Sequence, residues 1–550
     1  MASKQKYKKH ELRDHIYTLP DTYIGSVEQT QLETYLYESE TKTMVKKNIN
    51  YVPGLYKIYD EILVNALDHV MRLKEEAKSK KGPEEDIRFV KNIKITIDKT
   101  TGSIEIYNDG DGIDIEKNSE GIYFPQMIFG ELLTSSNYDQ EVEKLWGGKN
   151  GYGSKLANIF SKEFIVETVD HRKKKIYTQT FSDNMKITEE PVIKTSGKAP
   201  YTKITFIPDF RRFGLSEFTD EIYELFHRRA MDAAAITDTT VAVFFNDTKL
   251  DIKNFEKYID FFIGTKQSHP RAFETCNERW EVSATYSESH QFEQLSFANG
   301  INTTRGGKHV EYITNQITKK LSEMALTKTK KAVKAQHIKD NLMVFVKCLI
   351  VNPAFDTQTK DSLTTPVAKF GSKCELSVKF FTELYKSGII EKAISLTDFH
   401  QEKQLVKTDG KKNKKLYVSK LDDANLAGTK ESDTCTLILT EGDSAKTMAI
   451  SGLSIIGREH YGVFPLRGKI LNVKDAANAK IAANEEITSI KKILGLQQGK
   501  KYINLSELRY GKIMILCDQD SVLGDTPLLL KNKDDLIEFK TIENISSKWE

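Results

Sequence analysis

Four glycines fall within seven residues in the stretch Gly147-Gly148-Lys149-Asn150-Gly151-Tyr152-Gly153-Ser154-Lys155. That density lets the backbone curl tightly and turn successive N–H groups toward one point. A helix-like run, Ser154 to Phe160, follows at once. A helix opening behind a glycine-rich loop suits a phosphate, because unpaired N–H groups and the helix dipole face it. Lys155 adds positive charge. The spacing does not fit G-x-x-x-x-G-K-[ST], which excludes an ordinary P-loop. Alone, the stretch reads equally as a plain turn, so its meaning depends on what stands around it.

Upstream, Pro53 to Lys78 predicts one helix, because Leu55, Ile58, Tyr59, Ile62, Leu63, Ala66, Val70 and Leu73 recur at helical spacing. Glu61 and Asn65 lie four apart on one face, with Asp68 three further on. A carboxylate and an amide there can activate water and hold Mg²⁺, or form a solvated edge. Ile93 to Asp98 alternates like a half-buried strand. A turn at Lys99 to Gly102 then leads into a second strand, Ser103 to Tyr107. That strand runs into Asn108-Asp109-Gly110-Asp111-Gly112. Asn108 can bond an adenine edge while the glycines let the backbone approach the base; a simple Asn-Asp-Gly turn is the alternative.

A helix with E-x-x-x-N, a strand with N-D-G-x-G and then the glycine loop resemble, in that order, the ATP site of the GHKL family. That family includes DNA gyrase, MutL and histidine kinases. The finer resemblance is to type IIA DNA topoisomerases of the eukaryotic and large-virus kind. It rests on Pro20-Asp21-Thr22-Tyr23-Ile24-Gly25-Ser26, Asp60 to Ala66, Leu133-Thr134-Ser135-Ser136-Asn137 and Gly148 to Lys155. Two departures are Leu19, where arginine is usual, and Leu67-Asp68-His69 in place of A-D-N. The resemblance implies a Bergerat α/β sandwich ATPase over residues 1–240, with an N-terminal arm that reaches a partner subunit. It implies that Glu61 is the general base and that Asn65 ligates Mg²⁺. By the same resemblance Asn108 reads adenine, and Ser135, Ser136 and Asn137 meet the ribose and phosphates. Gly148, Lys149, Asn150, Gly151, Tyr152, Gly153, Ser154 and Lys155 would wrap the triphosphate. The rest of this region reads as a meander of strands Glu163 to Val169, Lys175 to Phe181 and Thr202 to Ile207, with Arg172 to Lys175 as a solvated hairpin tip.

Residues 241–395 predict strands at Ser283 to Tyr286 and Gln294 to Ile301, a helix at Val310 to Ala325, and a central strand at Leu342 to Val351. The segment Ser296 to His309, S-F-A-N-G-I-N-T-T-R-G-G-K-H, resembles the transducer of the same topoisomerases, an α/β domain of ribosomal-protein type. That implies a loop, Gln358-Thr359-Lys360, entering the ATP site, with Lys360 at the γ-phosphate and Gln358 helping to position it. Lys328, Lys330, Lys331 and Lys334 form a basic stretch, either a solvated face or a phosphate contact with duplex DNA.

Residues 396–433 read as a linker, with His400 to Lys430 as a polar linker or surface hairpin. In residues 434–520, the strand Thr434 to Leu439 leads to Glu441, and Lys512 to Cys517 ends in Asp518-Gln519-Asp520. Parallel sheets place sites at such strand ends, and a glutamate facing a D-x-D pair suits Mg²⁺. These runs, with Pro465 to Val473, resemble a TOPRIM domain, here partial. The resemblance implies that Glu441, Asp518 and Asp520 hold metal and that Arg467 and Lys469 lie near the DNA backbone. The pattern breaks after Asp520. Ser521-Val522-Leu523-Gly524-Asp525-Thr526 and the apolar run behind it resemble the opening of an intein, with Ser521 as its nucleophile. Residues 521–550 would then be a short β-rich intein fragment; a diverged tail remains the alternative.

The net charge of +3 leaves any nucleic-acid contact to local basic patches. The five cysteines are scattered with no C-x-x-C, which argues against zinc and fits a reducing compartment. No apolar run approaches the roughly 20 residues of a membrane span. The expectation is an α/β multidomain chain: the ATPase half of a type IIA topoisomerase, using ATP and Mg²⁺. It would act in the nucleus or cytoplasm as a homodimer on double-stranded DNA. DNA cutting would require a C-terminal half joined by splicing. An ATP-gated clamp without cleavage, and an inactive gene fragment, remain open.

Overall fold

Along the strand Asn92–Asp98, Ile93, Ile95 and Ile97 are buried while Lys94 is exposed. The same alternation in Ser103–Asp109, Tyr201–Pro208 and Ser161–Asp170 gives a sheet with one apolar face. In the computed structural model, residues 10–79, 87–134, 143–148, 151–468, 470–474, 476, 478–517, 527–531 and 537–541 are described. The chain divides into two compact units, residues 1–394 and 395–550.

The first unit holds two sheets that matter for the site. One has nine strands, with Ala242–Phe245, Asn92–Asp98, Ser103–Asp109, Tyr201–Pro208, Ser161–Asp170 and Lys175–Ser182 side by side in that order. All these neighbours pair antiparallel except Ala242–Phe245 with Asn92–Asp98, which is parallel. Its apolar face is covered by the helix Pro53–Ser79, the short helix Gly153–Ile159 and the helix Asp220–Ile236. Leu55, Ile62, Ala66, Leu156, Ile222 and Phe226 meet Ile95, Ile106, Val166 and Phe206 in one core. On the other face Lys203 bridges Glu105 and Glu167.

The second sheet has Leu342–Cys348 at its centre, antiparallel to Trp280–Tyr286 and parallel to Glu293–Ala298. The helix Lys308–Thr329 packs on it through Ile313, Ile317 and Leu321. The expected strand Gln294 to Ile301 is instead a hairpin. Phe297 pairs with Asn302 and Ala298 with Ile301 across Asn299-Gly300, both at positive φ. An Asn-Gly pair in that conformation is the two-residue turn that strand twist favours.

One further expectation changes. Arg172 is not part of a free solvated tip, because its guanidinium bonds the Asp111 carboxylate at 2.6 Å. Cys276 and Cys374, far apart in sequence, are brought together with their Cα atoms 5.6 Å apart. The edge strand Ala272–Asn277 runs beside residues 373–377, and Asn277 Nδ2 donates to the Lys373 carbonyl at 2.7 Å.

In the second unit, Tyr461–Pro465, Thr436–Thr440 and Lys512–Leu516 form a parallel sheet with Thr436–Thr440 central. Thr440 aligns with Leu516, so the positions after both strands lie at one end. The helix Asp443–Ile456 follows the central strand. The stretch His400 to Lys430 shows no hairpin among its described residues. A helix runs to Val406, and Ala424 and Ala427 are buried against Leu437 and Phe464. Pro527–Lys531 and Ile537–Thr541 pair antiparallel.

Candidate functional site

Glu61 sits mid-helix in Pro53–Ser79 and is only 4 % exposed. A carboxylate so deep needs positive partners. Its Oε1 accepts from Lys57 Nζ at 2.7 Å and from Lys360 Nζ at 3.0 Å. Burial alone would raise the Glu61 pKa, but Lys360 and Lys57 outweigh it and hold the carboxyl at about 2. Burial pulls the Lys360 pKa down, and Glu61 more than restores it. Lys57 was not singled out in the sequence, although its i, i+4 spacing to Glu61 was there to find.

Lys360 arrives from the second sheet's side of the unit, 299 residues further along the chain. Its backbone lies in the left-handed region at φ +64°. The loop that carries it is held by the segment Thr303 to Lys308. Arg305 N donates to Asp361 O at 2.9 Å, Leu363 N to Gly306 O at 3.0 Å and Lys308 N to Leu363 O at 2.9 Å. Thr304 Oγ1 donates to Asp361, and the Arg305 guanidinium pairs with Asp356. Thr359 bonds Asp361, and Gln358 is half-buried in the same loop. The motif T-T-R-G-G-K therefore serves as the cradle of the lysine loop.

The glycine loop meets the same helix. A Cβ on Gly153 would stand 2.0 Å from Glu61 Oε2, so only glycine lets the carboxylate lie there. Gly147 N and Gly148 N donate to the two Asp68 carboxylate oxygens at 3.0 and 2.9 Å. These two N–H groups thus face a carboxylate of the protein itself. Burial raises the Asp68 pKa to about 6 despite those bonds. Lys155 is 2 % exposed and donates to the carbonyls of Thr134 at 2.9 Å and Gly151 at 2.8 Å. Burial lowers its pKa to about 8. It ties the loop to residues 131–134 and brings a buried positive charge with it. Ser154 Oγ donates to Ile128 O at 3.0 Å, and the Tyr152 ring lies 6.4 Å from that of Tyr23.

Asn65 is half-buried one turn beyond Glu61. Asn108 ends the strand Ser103–Asp109, buried, with its amide donating to Asp109 O at 2.9 Å. Gly112 lies against Val169, where a Cβ would come within 2.0 Å of the carbonyl oxygen. Glu61, Asn65, Gly153, Lys155 and Lys360 thus belong to one unit, with Asn108 at the end of its sheet. Ser135, Ser136, Asn137, Lys149 and Asn150 lie outside the described residues.

Lys328 Nζ lies 4.0 Å from the Tyr385 ring centroid, and Lys328, Lys330, Lys331 and Lys334 are exposed at the end of Lys308–Thr329. Glu441 is exposed directly after its strand, its N–H donating to Leu516 O at 3.2 Å. Arg467 is exposed and paired with Glu485 at 3.7 Å. Lys469, Asp518, Asp520 and Ser521 lie outside the described residues. Among the described residues no group of three His, Cys, Asp or Glu side chains could hold a metal ion, and no helix is long and apolar enough to cross a membrane.

The DNA gyrase B family model matches residues 244–414. DNA topoisomerase 2 of Pisum sativum is 46 % identical over 98 % of this chain and 37 % of its own length. DNA topoisomerase 2 of Acanthamoeba polyphaga mimivirus is 49 % identical over 94 % of this chain and 40 % of its own. The chain therefore spans about two fifths of these relatives. The ATPase region of Saccharomyces cerevisiae topoisomerase II is 43 % identical, with a TM-score of 0.66 over 72 % of this chain and 99 % of that structure. The ATPase and transducer domains from Balamuthia mandrillaris give 38 % identity and a TM-score of 0.67 over 73 % of this chain and all of theirs. The fold, the loop carrying Lys360 and these likenesses agree: the chain belongs to the type II DNA topoisomerases and includes their ATPase and transducer region.

Proposed function

We propose that residues 1–394 bind and hydrolyse ATP, and that the hydrolysis drives a DNA-strand-passing machine. The observation that carries this reading is the Lys57–Glu61–Lys360 cluster, in which one carboxylate oxygen takes two ammonium groups. A site with this much buried positive charge suits an anionic phosphate, which can take over one lysine. Gly153, lacking a side chain, lets the glycine loop lie directly against the carboxylate. Bound ATP would supply the scissile phosphoanhydride, with Mg²⁺ neutralising its charge and Asn65 as the protein ligand. Glu61 would accept a proton from the attacking water. Flanked by two lysines it is a weak base; withdrawal of Lys360 toward phosphate restores its basicity. Lys360 would thus sense the phosphate and release the carboxylate in one movement.

The full activity, passage of one DNA duplex through another by a homodimer, is proposed from the relatives. Glu441, with Asp518 and Asp520, would hold the Mg²⁺ of cleavage, with Arg467 and Lys469 near the DNA backbone. Lys328, Lys330 and Lys331 would meet DNA phosphates. By itself the chain is read as an ATP-driven clamp on DNA, working inside the cell. Residues from Ser521 onward are read as the start of an intein, a reading supported by the motif and by the paired strands Pro527–Lys531 and Ile537–Thr541.

The test is steady-state ATPase activity with Glu61→Gln. Turnover should fall by about 10²–10⁴-fold, while binding of a fluorescent ATP analogue persists. Unchanged turnover would sink the assignment of the base.

A further inference from the structure

The glycine loop begins at a junction of three elements. From one side the helix Pro53–Ser79 offers Asp68, whose two carboxylate oxygens each accept one loop amide, Gly147 N and Gly148 N. Asp68 is 6 % exposed, so these bonds form away from water. From a second side comes the hairpin turn of the five-stranded sheet. A Cβ on Gly147 would stand 2.5 Å from Ile301 Cδ1 and 3.0 Å from Asn299 O. From a third side comes Asn352, just beyond the central strand of that sheet. Asn352 N donates to Lys144 O at 3.0 Å, and Lys144 N donates back to Asn352 Oδ1 at 3.1 Å. The hairpin is itself tied to the nucleotide helix, because Arg229 bonds both Asp60 Oδ1 at 2.6 Å and Gly300 O at 2.8 Å.

We propose that Asp68 and Asn352 are positioning residues that fix the base of the glycine loop, residues 144–148, between the nucleotide helix and the transducer sheet. This inference rests on the ATPase reading given above. The base forms a second joint between the two parts of the unit, separate from the contact of Lys360 with Glu61. A shift of Asn352 and the Asn299-Gly300 turn pulls on Lys144 and Gly147, while Asp68 holds Gly147 and Gly148 to the helix. Movement of the transducer sheet is thereby passed to the glycine loop even when Lys360 is elsewhere. Of the loop's four glycines, the first serves contact with the hairpin, while its N–H and that of the second serve Asp68.

The test combines amide hydrogen exchange of the nucleotide-free chain with ATPase kinetics. It uses Asp68→Ala, Asp68→Asn and Asn352→Gly. Asn352 has φ +46°, so glycine keeps its backbone and removes only the side-chain acceptor. In Asp68→Ala, exchange at Gly147 and Gly148 should rise about tenfold or more, as for loss of hydrogen bonds to a charged acceptor. KM for ATP should rise with it more than kcat falls. Asp68→Asn, which keeps one acceptor oxygen, should recover part of both effects. In Asn352→Gly, faster exchange should extend from Lys144 to Gly147 and Gly148. Exchange at Gly147 and Gly148 unchanged in a folded Asp68→Ala chain would overturn the proposal. So would an Asn352→Gly effect confined to Lys144. Because exchange is measured without nucleotide, it decides on the joint even if the wild-type chain proves to have no ATPase activity, which would instead refute the functional reading.

Discussion

Burial sets the protonation of several side chains in the first unit. Burial lowers the His69 pKa to about 4 and the His309 pKa to about 3. His69 bonds the Asp111 carbonyl at 2.7 Å, and His309 bonds Thr303 Oγ1 at 3.1 Å. Between those values and the unperturbed 6.5, the unfolded chain binds more protons than the folded one, so stability rises with pH. Asp68 acts in the opposite sense between 3.8 and about 6, where the folded state binds more protons. Two histidines outweigh one aspartate, and the net slope is positive across that range. Urea unfolding from pH 4.5 to 6.5 (about the window between the shifted and ordinary histidine values) should show stability increasing. His69→Gln with His309→Gln should turn the slope negative below about pH 6, where Asp68 is left to act, and a slope unaltered by the pair would remove histidine burial as its cause. Glu61 and Asn65 were legible as a pair because helical spacing is local. Lys57 is just as local, four residues from Glu61 on the same helix, and was there to be read; Asp68 could not be tied to Gly147, because that role arises only when the helix meets a loop from about 80 residues away.

Among the elements, the cradle of the lysine loop shows which contacts matter. The Arg305 side chain is 61 % exposed, and a surface ion pair of that kind contributes about 0–1 kcal/mol. The backbone ladder between residues 305–308 and 361–363 is independent of that side chain. Gly307 is different. Its φ is +129°, and a Cβ there would stand 2.3 Å from Leu363 O. Gly307→Ala should therefore lower ATP turnover about tenfold or more, by misplacing Lys360. Arg305→Ala should change it less than twofold, to the extent that surface pairs are weak. Equal effects in a steady-state assay would show that the side chain, not the backbone, holds the loop. Periodicity made Pro53–Ser79, Lys308–Thr329 and the central strand Leu342–Cys348 legible. It overran the hairpin at Asn299-Gly300, where an apolar run continued through a turn that the Asn-Gly pair announced. The resemblance supplied the loop at Lys360; spacing alone offered no reason to bring residue 360 to residue 61.

For the whole molecule, the sequence after Asp520 bears on whether splicing occurs. If Ser521 opens an intein, intact-mass measurement of the native protein should find a species that lacks residues 521–550 and continues past Asp520 into new sequence. Recovery only of chains that keep Ser521 joined to Asp520 would count against splicing. The ion pair between Glu61 and Lys360 also has a consequence in time. It joins residues 299 positions apart, so the ribosome needs roughly 15–60 s between making one and the other, at about 5–20 residues per second. During that interval Glu61 has Lys57 as a local partner four residues away but no Lys360. The nascent nucleotide part can collapse with one lysine on its carboxylate, yet it lacks the second until the transducer sheet has emerged and folded. Contacts this distant in sequence form late. ATP turnover should thus be among the last properties a newly made chain acquires, after its sheets and helices are in place.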